Sequence, residues 1–203
     1  PGFNMFKKLI VIDAKGHLAG RLASYVAKEA LNGQKITIIR CERTLISGSK
    51  YRNKLKVMDF RKKRMSTNPK KGPIHQRSPA QILLRKIRGM IPHKTPIGAA
   101  ALGRVKCFDG CPLSLNATKK FVVRDALRCV RLKPKARYCC IGDVAEVCGW
   151  KKGSIINKFE AKRAGANREW HLKKQKAIRE RKDKLSKNGD YKKVNEELAK
   201  LGY

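Results

Sequence analysis

Two short apolar runs flank a helical pattern near the start of the chain. Residues 9–12 are all apolar, and residues 36–41 form a second run rich in β-branched side chains. Unbroken apolar runs of this length are typical of strands that are buried on both faces. Between them, apolar residues recur at helical spacing, namely Leu18, Leu22, Tyr25, Val26 and Leu31, and the pair at 32–33, Asn-Gly, supplies a stop signal. The pattern predicts a strand–helix–strand unit with parallel strands and a right-handed crossover.

A basic helix with little apolar surface is predicted at residues 49–64. Its narrow apolar stripe consists of Tyr51, Leu55, Met58 and Phe60. Residues 68–73 contain two prolines and a glycine, which break the helix.

Two further helices begin with a hydroxyl residue followed by proline, at Ser78-Pro79 and at Thr95-Pro96. Serine or threonine caps the first turn, and proline is well tolerated at the first helical position. The first helix extends to Pro92, and the second is short and ends at Gly103. The remaining predicted elements are a strand at 105–108, a segment at 121–132 that fits either a strand or a helix, a strand at 138–141 and a helix at 143–148.

The charge of the chain is large and uneven. It has 50 basic and 15 acidic residues, a formal net charge of +35 at pH 7. Between Lys50 and Lys94, fifteen lysines and arginines accompany one acid, Asp59. Self-repulsion of this kind opposes compaction unless a polyanion supplies the counter-charge, and nucleic acid is the usual polyanion. The apolar run at 9–12 is too short to span a bilayer or to act as a signal sequence, so we predict nucleic acid and no membrane as partner.

Residues 155 onward are charged and rich in helix formers. They predict one long helix that packs near its start and projects beyond the domain. The 53 residues after Trp150 contain too few large apolar side chains for an independent core. We therefore interpret residues 1–150 as an α/β RNA-binding core with a basic insert at about 50–94, and residues 151–203 as a basic helical extension. Trp170 is predicted to anchor this extension, either on the core or against RNA.

The turn after the first strand resembles a nucleotide-binding turn only weakly. Gly16 and Gly20 are present, and Glu42 stands where a ribose-binding acid would lie, but the three-glycine fingerprint is missing. A glycine turn with a packed helix is the favoured interpretation. No catalytic motif is present, and acids are too few for general acid–base chemistry. We predict that the protein is not an enzyme and has no cofactor and no small-molecule substrate.

Histidine and cysteine spacing argues against a metal site. The histidines at 17, 75, 93 and 171 are scattered, and we expect them at the surface or against RNA, with capping of the first helix as an alternative for His17. The seven cysteines lack the two close pairs that a zinc module needs. An odd number without a secretion signal also argues against a disulfide framework. Reduced cysteines that fill the interior are the favoured interpretation.

The segment 88–110 combines an arginine at a helix end with a proline-bracketed turn. Arg88, His93 and Lys94 lie around Pro92 and Pro96. A preorganised turn that presents basic groups suits phosphate contact, because little order has to be gained on binding. We predict that these three residues form a phosphate clamp.

Several motifs together resemble the universal large-subunit ribosomal protein thirteen family, in its longer eukaryotic form, thirteen-a. The resemblance covers about residues 8–175, with mild departures at Ile97 and at 112–120. The motifs are His17-Leu18-Ala19-Gly20-Arg21-Leu22-Ala23, Ser47-Gly48, Tyr51-Arg52-Asn53-Lys54, Asn68-Pro69, Gly72-Pro73, Arg88-Gly89-Met90-Ile91-Pro92-His93-Lys94-Thr95, Gly98, Ala100-Ala101-Leu102, Val105 to Gly110, Leu132-Lys133-Pro134 and Gly149-Trp150-Lys151.

The resemblance implies a three-layer α/β/α core with a small, mostly parallel sheet. It also implies a structural constituent of the large (60S) ribosomal subunit that binds large-subunit ribosomal RNA beside neighbouring ribosomal proteins. Cytoplasmic ribosomes would be its location, after assembly in the nucleolus. The alternative function is a stand-alone RNA-binding regulator of translation.

RNA contacts are predicted for fourteen residues. They are Lys50, Arg52, Lys54, Arg61, Lys62, Lys63, Arg64, Lys70, Lys71, Arg85, Arg88, His93, Lys94 and Arg104. Lysines would neutralise phosphates, and arginines would add bidentate phosphate contacts or stack on exposed bases. With 6% aromatic residues, we expect recognition of RNA shape and backbone rather than a base-stacking platform.

Overall fold

The computed structural model, which describes residues 9–187 and 189–202, is built around a parallel sheet. The strands are β1 (Ile10–Asp13), β2 (Ile36–Ile39), β3 (Leu45–Ser47), β4 (Val105–Cys107), β5 (Lys120–Phe121) and β6 (Tyr138–Cys140). The helices are α1 (Ala19–Leu31), α2 (Lys50–Lys62), α3 (Pro79–Arg88), α4 (Pro96–Gly103), α5 (Arg128–Arg131), α6 (Ile141–Val147), α7 (Gly153–Ser186) and α8 (Gly189–Lys200).

The sheet has four parallel strands in the order β4-β2-β1-β5. In the predicted strand–helix–strand unit, β1 and β2 pair in parallel from Ile10 opposite Ile36 to Asp13 opposite Ile39. All four residues of β2 are buried, as expected for a central strand that is covered on both faces. The predicted α/β class with a small parallel sheet is therefore confirmed.

Helix α1 packs on this sheet through small side chains. Its buried residues are Ala19, Leu22, Ala23, Val26, Ala27 and Ala30, and they share one core with Leu83 and Ile87 of α3. Alanine brings helix backbones close together, which suits the contacts of α1 with α3 and α4. Two residues of the predicted apolar face, Tyr25 and Leu31, are instead exposed. The Tyr25 hydroxyl donates to Asp125 Oδ2 at 3.1 Å.

A second, antiparallel sheet joins β3 and β6, with Ile46 opposite Cys139. The sequence pattern did not indicate β3. Helix α2 packs beside this pair through Val57 and Met58, which contact a small cluster of Cys139, Val144 and Cys148. The predicted stripe on α2 was wrong for Tyr51 and Leu55, which are exposed. The apolar contacts of α2 with this cluster come from Val57 and Met58, so helical spacing alone misplaces its contact face.

The other predicted elements of the first part of the chain are present. Helices α3 and α4 have proline at the first turn, and Thr95 Oγ1 accepts from the Gly98 N–H at 3.2 Å. Ser78 Oγ instead donates to Asp109 Oδ2 at 2.6 Å. The ambiguous segment at 121–132 contains both kinds of structure, the end of β5 and helix α5.

The chain divides into two compact units that meet in sequence at Asn157 and Lys158. Most of α7 and all of α8 belong to the second unit, and the predicted long helix is confirmed by α7. All side chains at 164–187 are exposed. Within the described ranges, none of the helices combines the length and apolarity needed to traverse a bilayer.

Candidate nucleic-acid interface

Most of the predicted RNA-binding residues are at the surface. Of the fourteen, eleven are exposed, and Arg61, His93 and Arg104 are half-buried. The one acid of the segment 50–94, Asp59, lies 3.8 Å from Lys62, and both side chains are open to solvent. An exposed pair of this kind neutralises little charge. The segment therefore presents a strongly positive surface.

The first turn of α2 is attached to β3 through Asn53. This side chain is buried, and its Nδ2 group donates to the carbonyl oxygens of Ser47 at 3.1 Å and Ser49 at 3.2 Å. Ser49 Oγ caps the helix by accepting from the Arg52 N–H at 3.3 Å. Because the helix start is held in this way, Lys50, Arg52 and Lys54 are presented on an ordered helix.

The last turn of α2 is held by Arg61. Its Nη1 group donates to the carbonyl oxygen of Cys148 at 2.7 Å, just after α6 ends. A helix end leaves such carbonyl oxygens without a partner in the helix. Arg61 was predicted to contact RNA, and the structure gives it this intramolecular partner.

A stack of three side chains connects the end of α2 with α3. The Arg85 guanidinium carbon lies 3.8 Å from the ring centroid of Phe60, and the His75 ring meets Phe60 edge-on at 4.7 Å. His75 Nε2 is 2.9 Å from the carbonyl oxygen of Lys63. The stack brings the cations at 61–64 near Arg85, and a cation over an aromatic face is favourable.

The turn between α3 and α4 is closed by hydrogen bonds and close packing. The Thr95 N–H and Oγ1 both donate to the Pro92 carbonyl oxygen, at 3.0 and 2.7 Å. A Cβ atom at buried Gly98 would lie 1.9 Å from the same oxygen, so only glycine fits there. Arg88 and Lys94 are exposed on either side of this turn. The geometry has the preorganisation that a phosphate clamp needs.

Arg104 lies in a different part of the surface. Its Nη1 group donates to the Ala30 carbonyl oxygen at 3.0 Å, at the end of α1. It lines a cleft with Lys35 and Lys106, whereas Arg85 and Arg88 line another. Arg104 therefore lines a different cleft from Arg85 and Arg88.

Three basic residues of the same segment were missed by the prediction. They are Lys56, Arg77 and Lys86. Burial and the nearby charge of Lys56 lower the pKa of Lys86. All three residues lie in the basic segment 50–94, so the charge density of that segment was the signal that could have identified them.

Glu42 and His17, two polar residues near the turn after β1, are both buried. The buried Glu42 carboxylate accepts from the Gly110 N–H at 2.8 Å and is directed into the protein. His17 is fully buried, which corrects the expectation of a surface or RNA-contacting residue. Its Nδ1 is 3.1 Å from the Lys15 carbonyl oxygen, and its Nε2 accepts from the Val123 N–H at 3.0 Å. His17 therefore connects two loops, and the helix cap is Leu18.

The seven cysteines are free thiols. Cys41, Cys139 and Cys148 are buried, in agreement with the predicted interior role, whereas Cys129 is exposed and the other three are half-buried, which corrects that prediction for them. A hydrogen bond with Cys107, followed by burial, raises the pKa of Cys41, and burial raises that of Cys139. Buried neutral thiols behave as small apolar side chains. In the described part of the chain, no group of three or more potential ligands could hold a metal ion.

Comparison with known proteins supports the family resemblance that the sequence motifs indicated. A family model described as Ribosomal protein L13 matches residues 7–114. The chain is 48% identical over 199 residues to the large ribosomal subunit protein uL13 of Tetrahymena thermophila. That alignment covers 98% of this chain and 100% of the relative.

Proposed function

Because the chain belongs to the ribosomal protein L13 family, we propose that it is built into the large (60S) ribosomal subunit and binds ribosomal RNA there through its basic insert. The family is structural and not enzymatic, so the chain has a structural role in the ribosome. The near full-length match to a large-subunit protein is the observation that carries this proposal.

The charge of the insert supports RNA as the ligand. Eleven of the fourteen predicted RNA-binding residues are exposed, all of them lysines or arginines, and the one acid of the segment is itself exposed. Lysines on α2 would neutralise phosphates, and Arg88 with Lys94 would clamp one. Arg61 and Arg104 already donate to carbonyl oxygens, so we assign them mainly to the positioning of neighbouring elements.

The two C-terminal helices would serve different partners. Helix α7 carries eleven basic and four acidic residues, together with Trp170, which is 62% exposed. It suits contact with RNA. Helix α8 has three acidic and three basic residues, and Tyr191, Val194 and Leu198 are exposed at helical spacing. A neutral helix with an apolar stripe suits a neighbouring ribosomal protein better than a polyanion.

Co-sedimentation tests the proposal directly. The tagged chain, expressed in a eukaryotic cell, should remain with large subunits after a high-salt wash, and we expect it in the nucleolus during assembly and on cytoplasmic ribosomes afterwards. An integral component is held by many contacts at once, so a high-salt wash does not detach it from an intact subunit. A stand-alone regulator of translation would leave the subunits in the wash. That result would refute the proposal.

The clamp has its own test. Replacement of Arg88 and Lys94 with alanine should weaken binding of the protein to a large-subunit RNA fragment. It should also reduce the log–log salt slope by about one per lost phosphate contact. Alanine at Arg21 and Lys28, which are exposed on α1, removes the same charge and should change the slope much less. Equal slopes for both variants would show that only net charge matters.

A further inference from the structure

We propose that a cleft beside α3 holds one unstacked RNA base. The base cleft is lined by Pro73, Ile74, Gln76, Gln81, Leu84, Arg85, Arg88 and Leu102, and its volume is about 440 Å³. Sites for small ligands have volumes of roughly 300–1,000 Å³, so one base fits. The inference rests on the proposed binding of RNA, and it adds a defined cleft for one base to the base stacking by arginine that the sequence predicted only in general.

The walls of the base cleft offer an apolar surface of the right kind. Leu84 and Leu102 are half-buried and pack against the main core, so they form a fixed floor. Ile74, in contrast, is 76% exposed at the rim, where nothing in the first unit covers it. The face of a base is apolar and gains free energy by contact with such a surface.

The polar groups of the base cleft match the edge of a base. Gln76 and Gln81 are both exposed, and each amide supplies donors and an acceptor. Base edges carry the same mixture of donors and acceptors. An apolar floor with two amides at its margin is thus complementary to a base and not merely to a phosphate.

Arg85 is held in position to stack. Its guanidinium lies over Phe60 at 3.8 Å, and Phe60 is held in turn by His75. A guanidinium is planar and stacks on aromatic rings and bases. Since Arg85 also lines the base cleft, a base there could contact the guanidinium, while the exposed Arg88 meets the adjoining phosphate.

A protein side chain is the competing occupant. The segment 50–94 has fifteen basic residues and one acid, and an RNA strand supplies the compensating charge along its whole length. An inserted side chain neutralises at most one cation. RNA is therefore the occupant that the charges favour.

Ultraviolet crosslinking of purified large subunits that contain the full chain tests this inference. Short-wavelength crosslinks join side chains to bases in direct contact. We expect nucleotide adducts on residues 72–77 or 78–85 after tryptic digestion and mass spectrometry. A Gln81→Glu variant, which keeps the size of the side chain but puts a carboxylate in the cleft, should lose most of these adducts. An Ala99→Glu variant, which adds the same charge at an exposed position outside the cleft, should keep them.

The outcomes separate this inference from the proposed function. Adducts that occur only elsewhere in the chain would overturn the base cleft and leave RNA binding intact. Adducts on 72–85 that survive undiminished in Gln81→Glu subunits would also overturn it, because the base would then lie outside the cleft. Absence of the chain from washed large subunits would overturn the proposed function itself.

Discussion

Single residues differ sharply in how far they can be replaced. The cations of the insert act through their number, and each exposed lysine on α2 contributes a similar share to phosphate neutralisation. Gly98 and His17 are different, because each has a specific position in the packed interior. At this scale, the residues that position the basic surface matter more than individual members of that surface.

Gly98→Ala should disturb the turn that carries Arg88 and Lys94. The added methyl group would lie 1.9 Å from the Pro92 carbonyl oxygen, so the backbone has to move. We expect a loss of about 1–3 kcal/mol in the free energy of unfolding, together with weaker RNA binding. Denaturant unfolding and a binding titration measure the two effects. Gly103→Ala, where nothing lies within 4 Å, is the matched control. Equal stability of both variants would contradict the close packing.

His17 should make stability depend on pH. Burial lowers its pKa from the usual 6.5, and the neutral ring accepts from the Val123 N–H through Nε2. Well above pH 6.5 the ring is neutral in both the folded and the unfolded chain. Below pH 6.5 the unfolded chain takes up a proton first, so stability falls until the lower, folded-state pKa is reached.

The measurement is the free energy of unfolding above and below pH 6.5. A tenfold difference in proton affinity corresponds to about 1.4 kcal/mol. His17→Gln should be less stable at neutral pH but should lose less stability on acidification. His171→Gln, at an exposed position, should keep the pH dependence of the unaltered chain. The same dependence in all three proteins would rule out His17 as its source.

At the scale of elements, α1 and α2 form a natural pair for comparison. Both have 13 residues, but α1 has six buried residues and α2 has only Asn53. Tertiary packing supplies most helix stability in proteins. We therefore expect residues 50–75 to exchange amide hydrogens faster than α1, β1 and β2 in the free protein, and to slow when RNA binds. Equal protection of α1 and α2 without RNA would contradict this prediction.

The elements also show which features of the fold can be predicted from a short segment of sequence and which depend on distant residues. The β1–α1–β2 unit, the proline-started helices and α7 followed from patterns within each segment. The pairing of β3 with β6 joins three-residue strands about 90 residues apart, and such short strands carry no distinctive period. The position of His17 depends on Val123, which is 106 residues away. For the candidate site, charge identified the segment, whereas the partners of Arg61 and Arg85 depend on packing.

At the scale of the whole molecule, the chain contains regions that suit different partners. The insert and α7 are strongly basic, whereas α8 has no net charge. All side chains at 164–187 are exposed, so this part of the chain buries almost nothing of its own. An isolated helix with that composition is only marginally stable unless it contacts phosphates or a neighbouring protein.

We therefore predict that the extension is a docking arm. Deletion of residues 176–203 should leave the melting temperature of the remaining protein nearly unchanged, because the described side chains in that range are exposed. It should nevertheless reduce incorporation into large subunits, measured by sedimentation of tagged chains expressed at equal levels. A shorter deletion of 189–203 removes the neutral helix α8 and retains the basic α7. Its incorporation defect then measures the contact with a protein neighbour separately from contacts with RNA. A large fall in melting temperature, or normal incorporation of the longer deletion, would contradict the docking role.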